Sequence, residues 1–135
     1  MSARSYESVE FGEDLPEVEP DVGMENVKRF CRSAMMYGPR FTDHEKAKKE
    51  GLPSAIVPGI MSQGLLGAII HNWAPGCTIK SIDTVFRAPL SVDSKPTCRA
   101  VVTDKDDDTH SIEIDLTIVN EAGETRVLGT AKVEL

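Results

Sequence analysis

Cysteine is scarce. The chain has three, Cys31, Cys77 and Cys98, odd in number and widely spaced. That pattern fits neither a disulfide framework nor a set of metal ligands. The three are therefore read as reduced, mostly buried small apolar residues, and no metal is expected. Long apolar runs are missing too. The longest, around Leu65 to Ile70, is far too short to span a bilayer, and the polar, acidic first residues carry no apolar stretch of a secretory signal. A cytoplasmic location with no membrane partner is the expectation. Positive charge is in deficit: 15 Lys and Arg stand against 22 Asp and Glu, a formal net charge of −7. That balance argues against nucleic acid as a partner. Histidine is confined to His44, His71 and His110, so any imidazole chemistry must use one of them.

What is present suits one soluble globular domain. The chain has 135 residues, 40% hydrophobic and 27% charged, enough to bury a core without staples. Residues 1–23 form an acidic segment punctuated by Pro16 and Pro20. A short strand is expected near Tyr6 to Phe11 and a surface connection elsewhere. Residues 24–135 read as a single domain. From Met24 to Met36, Val27, Phe30, Cys31 and Ala34 fall at helical spacing, with Asp21 or Gly23 as cap and Gly38-Pro39 as the break. A second, short helix fits Asp43 to Glu50, with Asp43 as N-cap and Gly51 just past its end.

Ser54 to Trp73 is the centre of the sequence. Pro58-Gly59 opens a helix over which Ile60, Met61, Leu65, Leu66, Ile69 and Ile70 spread apolar groups around most of the girth. Such a helix is expected to be buried nearly all round. Gly64, Gly67 and Ala68 are interleaved. Helical glycines cost roughly 1 kcal/mol each relative to alanine, so tight packing is expected to offset them. Everything later reads as strand: Ile79 to Arg87, Thr97 to Thr103, a period-2 run through Ile112, Ile114, Leu116 and Ile118, and Arg126 to Leu135. Asp106-Asp107-Asp108 and Asn120 to Gly123 mark turns. This order predicts an α+β fold, an antiparallel sheet wrapped around one long buried helix.

Phe30 to Leu66 and the segment Val85-Phe86-Arg87-Ala88-Pro89-Leu90 resemble the MaoC-like (R)-specific enoyl-CoA hydratase and dehydratase family. The similarity covers most of the chain after about residue 20, and it implies the hotdog fold. Anchored on Ala47, the family pattern puts Pro39 on the motif proline and Asp43 on an aspartate two places after the motif histidine. Gly51 and Gly59 fall on the turn and the helix-opening glycine. The two catalytic positions are replaced: Met36 stands for the aspartate and Phe41 for the histidine. Gly38 stands for the asparagine, and Pro58 for the histidine before the helix. No histidine lies five residues after an aspartate, so no change of register restores the pair. In the family, the aspartate and histidine activate water and deliver a proton to the α-carbon. Methionine and phenylalanine transfer no proton, and losing a positioned acid or base costs about 10²–10⁴-fold.

One part of the implied site survives. The turn Pro58-Gly59-Ile60 offers backbone N–H groups at a helix N-terminus, the oxyanion-binding and substrate-binding element of the resemblance. The plain alternative is a helix start and nothing more. Asp43 and His44 are the candidates for a relocated acid–base pair; their ordinary readings are a helix cap and a solvated histidine. Met36, Tyr37, Phe41 and Pro58, with Met35, are candidates to line an acyl pocket, or else ordinary core. His71 reads as a helix-end residue favoured by the dipole, and His110 as exposed. The acidic turn matches no calcium loop. Arg40, Lys46, Lys48, Lys49 and Arg87 are candidate contacts for coenzyme A phosphates, or a solvated basic face.

Three functions follow from the resemblance. The first is a catalytically degenerate subunit that binds acyl thioesters of coenzyme A or acyl carrier protein. It would pair as a homodimer or as a heterodimer with a catalytic MaoC-like chain, in fatty acid or steroid metabolism. The second is a divergent enoyl-thioester hydratase, dehydratase or thioesterase with relocated chemistry. The third is a non-catalytic module for an apolar ligand. No separate cofactor is implied.

Overall fold

The computed structural model describes residues 4–135. Three α-helices, α1 (Met24–Ala34), α2 (His44–Lys49) and α3 (Gly59–Trp73), precede four strands, β1 (Thr78–Phe86), β2 (Thr97–Asp106), β3 (Ser111–Val119) and β4 (Thr125–Glu134). The strands form one antiparallel sheet in the order β1-β4-β3-β2. The period-2 pattern of β3 explains its central place. Ile112, Ile114, Leu116 and Ile118 are all buried. They face Val133, Ala131 and Val127 of β4 on one side and Val102, Ala100 and Cys98 of β2 on the other. Ladder pairs of this kind join into one apolar face, and that face shares a single core with Met61, Leu66, Ile69, Ile70 and Trp73 of α3. Gly129 is required where β1 closes on β4: a Cβ there would run into the Asp83 carbonyl. Gly123, with φ of 80°, makes the β3–β4 turn in the left-handed region.

The strand expected near Tyr6 to Phe11 is not formed. Tyr6–Ser8 is a single 3-10 turn, and the extended pairing comes later, where the Gly12 and Leu15 N–H groups donate to the Val102 and Ala100 carbonyls. Val18 and Cys98 exchange N–H···O bonds in both directions. This stretch covers the outer edge of β2, which would otherwise present unpaired donors. The proline at position 16 interrupts the ladder, so only isolated bridges at Asp14 and Val18 form. Tyr6 does anchor the segment. Its hydroxyl donates to Asp107 at 2.6 Å, its ring stacks on His110 at 4.7 Å, and Lys105 sits 4.3 Å over its other face. Burial, with the Asp107 carboxylate beside it, pushes the phenol up to about 12.

The central helix is not buried all round. Ile60, Gly64, Ala68 and His71 are exposed and Gly67 is partly so, a stripe at i, i+4, i+7, i+8 and i+11. Nothing lies within 4 Å of a Cβ built at Gly64 or Gly67. Close packing inside the chain therefore does not account for these two glycines.

Candidate functional site

Helix α3 begins where Pro58 fixes the backbone and Gly59 takes the first helical position. The first intrahelical bond runs from the Ser62 N–H to the Pro58 carbonyl. The N–H groups of Gly59, Ile60 and Met61 are left without a backbone acceptor, the usual state of a helix N-terminus. A cleft of about 380 Å³ opens at this end of the helix. Gly59 and Ser62 of α3 line it, with Val57, Phe86, Leu90 and Val127 as apolar walls and Arg87 as its one charged residue. A Cβ on Gly59 would come within 3.1 Å of the Phe86 ring, so the glycine lets that ring lie directly over the start of α3. Phe86 is nevertheless 51% exposed. The floor is held by a bond from the Val57 N–H to the Leu90 carbonyl, and a bond from the Arg87 N–H to the Arg126 carbonyl holds the mouth.

The other expected site residues sit elsewhere. Met36 and Phe41 pack against the core from its periphery, and Tyr37 is exposed. None of the three lines the cleft. Pro58 is buried behind Gly59, and Ile60 points outward with 61% exposure. Asp43 caps α2, accepting from the Lys46 N–H at 3.0 Å, and that bond holds its carboxyl below the usual aspartate range. His44 is not simply solvated. Its Nδ1 accepts from the Ala55 N–H at 3.1 Å, which puts the proton of the neutral ring on Nε2, and Nε2 donates to Asp93 at 2.8 Å. Asp93 turns its other oxygen to the Met24 N–H at 2.8 Å, the first donor of α1. One imidazole and one carboxylate thus join the starts of α1 and α2 to the turn after Leu90. Sequence inspection had no means of finding this clip, because its partners lie 49 and 69 residues apart.

Both groups of the candidate acid–base pair are therefore occupied in structural bonds, outside the cleft. Replacing His44 with alanine strands the Ala55 N–H, whose residue is fully buried, and is expected to cost about 1–2 kcal/mol in urea unfolding. The His44 N–H, then the Met24 N–H, hold the Asp93 carboxyl below the ordinary aspartate value. Its contribution to stability is accordingly complete above the ordinary carboxylate range and is lost as pH falls through the lowered folded value. Unfolding midpoints are expected to fall below about pH 4, and to fall less steeply in Asp93→Asn.

Of the candidate cations, Arg40 is paired with Glu50 at 2.9 Å and Lys48 with Glu45 at 3.4 Å. Lys46 and Lys49 are exposed on α2. Arg87 alone among these reaches the cleft. His71 lies 3.8 Å from the Cys77 sulfur, and all three cysteines are free, with burial pushing Cys98 up to about 11. No group of three or more His, Cys, Asp or Glu suited to a metal ion occurs among the described residues. No helix among them is long and apolar enough to cross a membrane.

No family model matches the sequence, and no curated protein matches it. Solved structures do. The (R)-hydratase from A. caviae involved in PHA biosynthesis superposes with a TM-score of 0.90 at 22% identity, over 95% of this chain and 98% of that one. A MaoC-like dehydratase gives 0.90 at 22% identity, over 98% of this chain and 42% of that one. The fold is the hotdog fold. A chain from the ChsH1–ChsH2 complex of Mycobacterium tuberculosis shares it, with a TM-score of 0.85 at 21% identity over 93% and 98% of the two chains. At such identities the likeness is one of architecture, and the chemistry has to be argued from the site. In this hotdog, α3 is the central helix, and its N-terminus opens into the cleft.

Proposed function

We propose that this chain is an acyl-thioester-binding hotdog subunit without hydratase chemistry of its own, which pairs with a second hotdog chain that supplies the acid and base. One observation carries the reading. The cleft at the start of α3 offers backbone donors, a hydroxyl, a cation and apolar walls, but no carboxylate and no imidazole. Such a lining binds and polarises a carbonyl; it does not move protons. Met36 and Phe41, at the positions where the resemblance places the catalytic pair, agree with it. The occupied states of Asp43 and His44 weigh against relocated chemistry.

Two surfaces favour pairing. β1 stands at the end of the strand order and has a neighbour on one side only. The exposed stripe of α3 is apolar from Ile60 through Gly64 and Gly67 to Ala68, and its glycines gain nothing from the chain's own packing. A second sheet edge and helix laid against these surfaces would pair the strand and bury the stripe. The solved complex whose printed name joins ChsH1 and ChsH2 contains a chain of this fold together with a different subunit, which agrees with pairing.

Isothermal titration of the purified chain with octanoyl-CoA and with coenzyme A alone tests the binding half. Octanoyl-CoA is expected to bind with the negative heat-capacity change of apolar burial, and coenzyme A much more weakly. Equal affinity for the two would show that the acyl group does not enter the cleft.

A further inference from the structure

Ser62 is the one buried polar or charged residue among the described residues, with 1% of its surface exposed. It lies three positions after Gly59, so the two occupy the same face of α3, and side chains on a helix lean toward its N-terminus. Both residues line the cleft. No hydrogen bond joins the Ser62 hydroxyl to another of the described residues, no fully enclosed side-chain oxygen or nitrogen is left unpartnered, and Ser62 lines the cleft. The apolar walls of that cleft, Val57, Leu90 and Val127, carry no side-chain acceptor, so a hydroxyl there satisfies its donor through what enters the cleft. Its nearest companions in function are the free N–H groups at the start of α3 and the Arg87 guanidinium at the mouth. All are donors, and none is an acceptor with negative charge.

We infer that Ser62 is a ligand-binding residue, whose hydroxyl donates to the carbonyl oxygen of an acyl thioester alongside the α3 N-terminal N–H groups. The inference rests on the acyl-thioester reading of the cleft and adds to it the group that selects for a carbonyl. The ligand class is an apolar chain ending in a thioester carbonyl, with its anionic carrier directed past Arg87. Arg87 makes no ion pair among the described residues. The Phe86 ring lies against Gly59 at the start of α3 and would turn aside as the acyl group enters, which its half-exposed position permits.

The test compares a thioester with its carbonyl-free counterpart. Octanoyl-CoA and the thioether S-octyl-CoA are titrated into the wild-type chain, Ser62→Ala and Ser62→Thr, with thermal unfolding of each variant as a control. Wild type is expected to bind the thioester better than the thioether. Ser62→Ala is expected to lose about three- to tenfold in affinity for the thioester and nothing for the thioether. Ser62→Thr, which keeps the hydroxyl, is expected to recover part of the loss. Unchanged thioester binding in Ser62→Ala would overturn the assignment and show that the hydroxyl turns back onto the helix. Equal losses for both ligands would overturn it as well, marking Ser62 as a packing residue. Failure of the wild type to bind either ligand is a distinct result. It would remove the acyl-thioester reading of the cleft, and the role of Ser62 with it.

Discussion

Leu66→Ala is expected to lower the unfolding free energy by about 3–5 kcal/mol, a large share of what a domain of this size possesses. Leu66 sits at the middle of α3, is fully enclosed and is among the largest such side chains in the protein. Alanine in its place removes the transfer free energy of the lost methyl groups and leaves a cavity. The β3 residues that share its core are held by ladder bonds on both sides, which resist inward collapse. Leu65 is the internal control. It is next in sequence but only partly buried, so Leu65→Ala is expected to cost about 1 kcal/mol. Urea unfolding of both variants, with an unchanged denaturant slope, measures the difference. If Leu65→Ala proved the costlier change, α3 would be rotated about its axis relative to the sheet.

Gly64→Glu is expected to have the largest effect on assembly and almost none on the fold. In the single chain a side chain at Gly64 meets open space, and replacing a helical glycine removes up to about 1 kcal/mol of backbone penalty. The variant should therefore unfold at the wild-type temperature or above it when dilute. Pairing is another matter. A partner laid over Ile60, Gly64 and Ala68 would bury an unpaired carboxylate, at a cost of several kcal/mol. In sedimentation the wild-type chain, with no other hotdog present, is expected to associate with itself at micromolar concentrations, and Gly64→Glu to run as a folded monomer. A variant that still pairs would move the interface off this face. A variant that unfolds would show that the chain already packs something against Gly64.

The elements were legible because their signals are local. Alternation through Ile112, Ile114, Leu116 and Ile118 marked β3, Asp43 marked the start of α2, and Pro58-Gly59 marked the first residue of α3. The hotdog architecture followed from their order and from the resemblance. Three things were not legible, for one physical reason: each depends on contacts between residues far apart in sequence. The N-terminal segment pairs with β2 at Gly12 to Val18 instead of near Tyr6, because the edge to be covered, not local propensity, sets the register. His44 reads as a solvated histidine until Asp93 and Ala55 are seen to hold both ring nitrogens. Gly59, Ser62 and Phe86 belong to a cleft closed by the segment after β1. The apolar girth of α3 was visible, but the expectation that the helix is buried nearly all round was wrong: Ile60, Gly64 and Ala68 are exposed.

On the proposed reading, the cleft binds acyl thioesters without the groups that hydrate them. The most direct measurement is hydration of crotonyl-CoA and of 2-octenoyl-CoA by the purified, folded chain, followed as loss of the conjugated thioester absorbance. The expected result is a rate indistinguishable from the uncatalysed one for both substrates. On the resemblance, Met36 and Phe41 replace two positioned proton-transfer groups, each worth about 10²–10⁴-fold, and no carboxylate or imidazole lines the cleft to replace them. Turnover at ordinary enzyme rates, abolished by Gly59→Pro but not by removal of a trace contaminant, would contradict the account and require an acid–base pair brought to the cleft from elsewhere in the chain or its second copy.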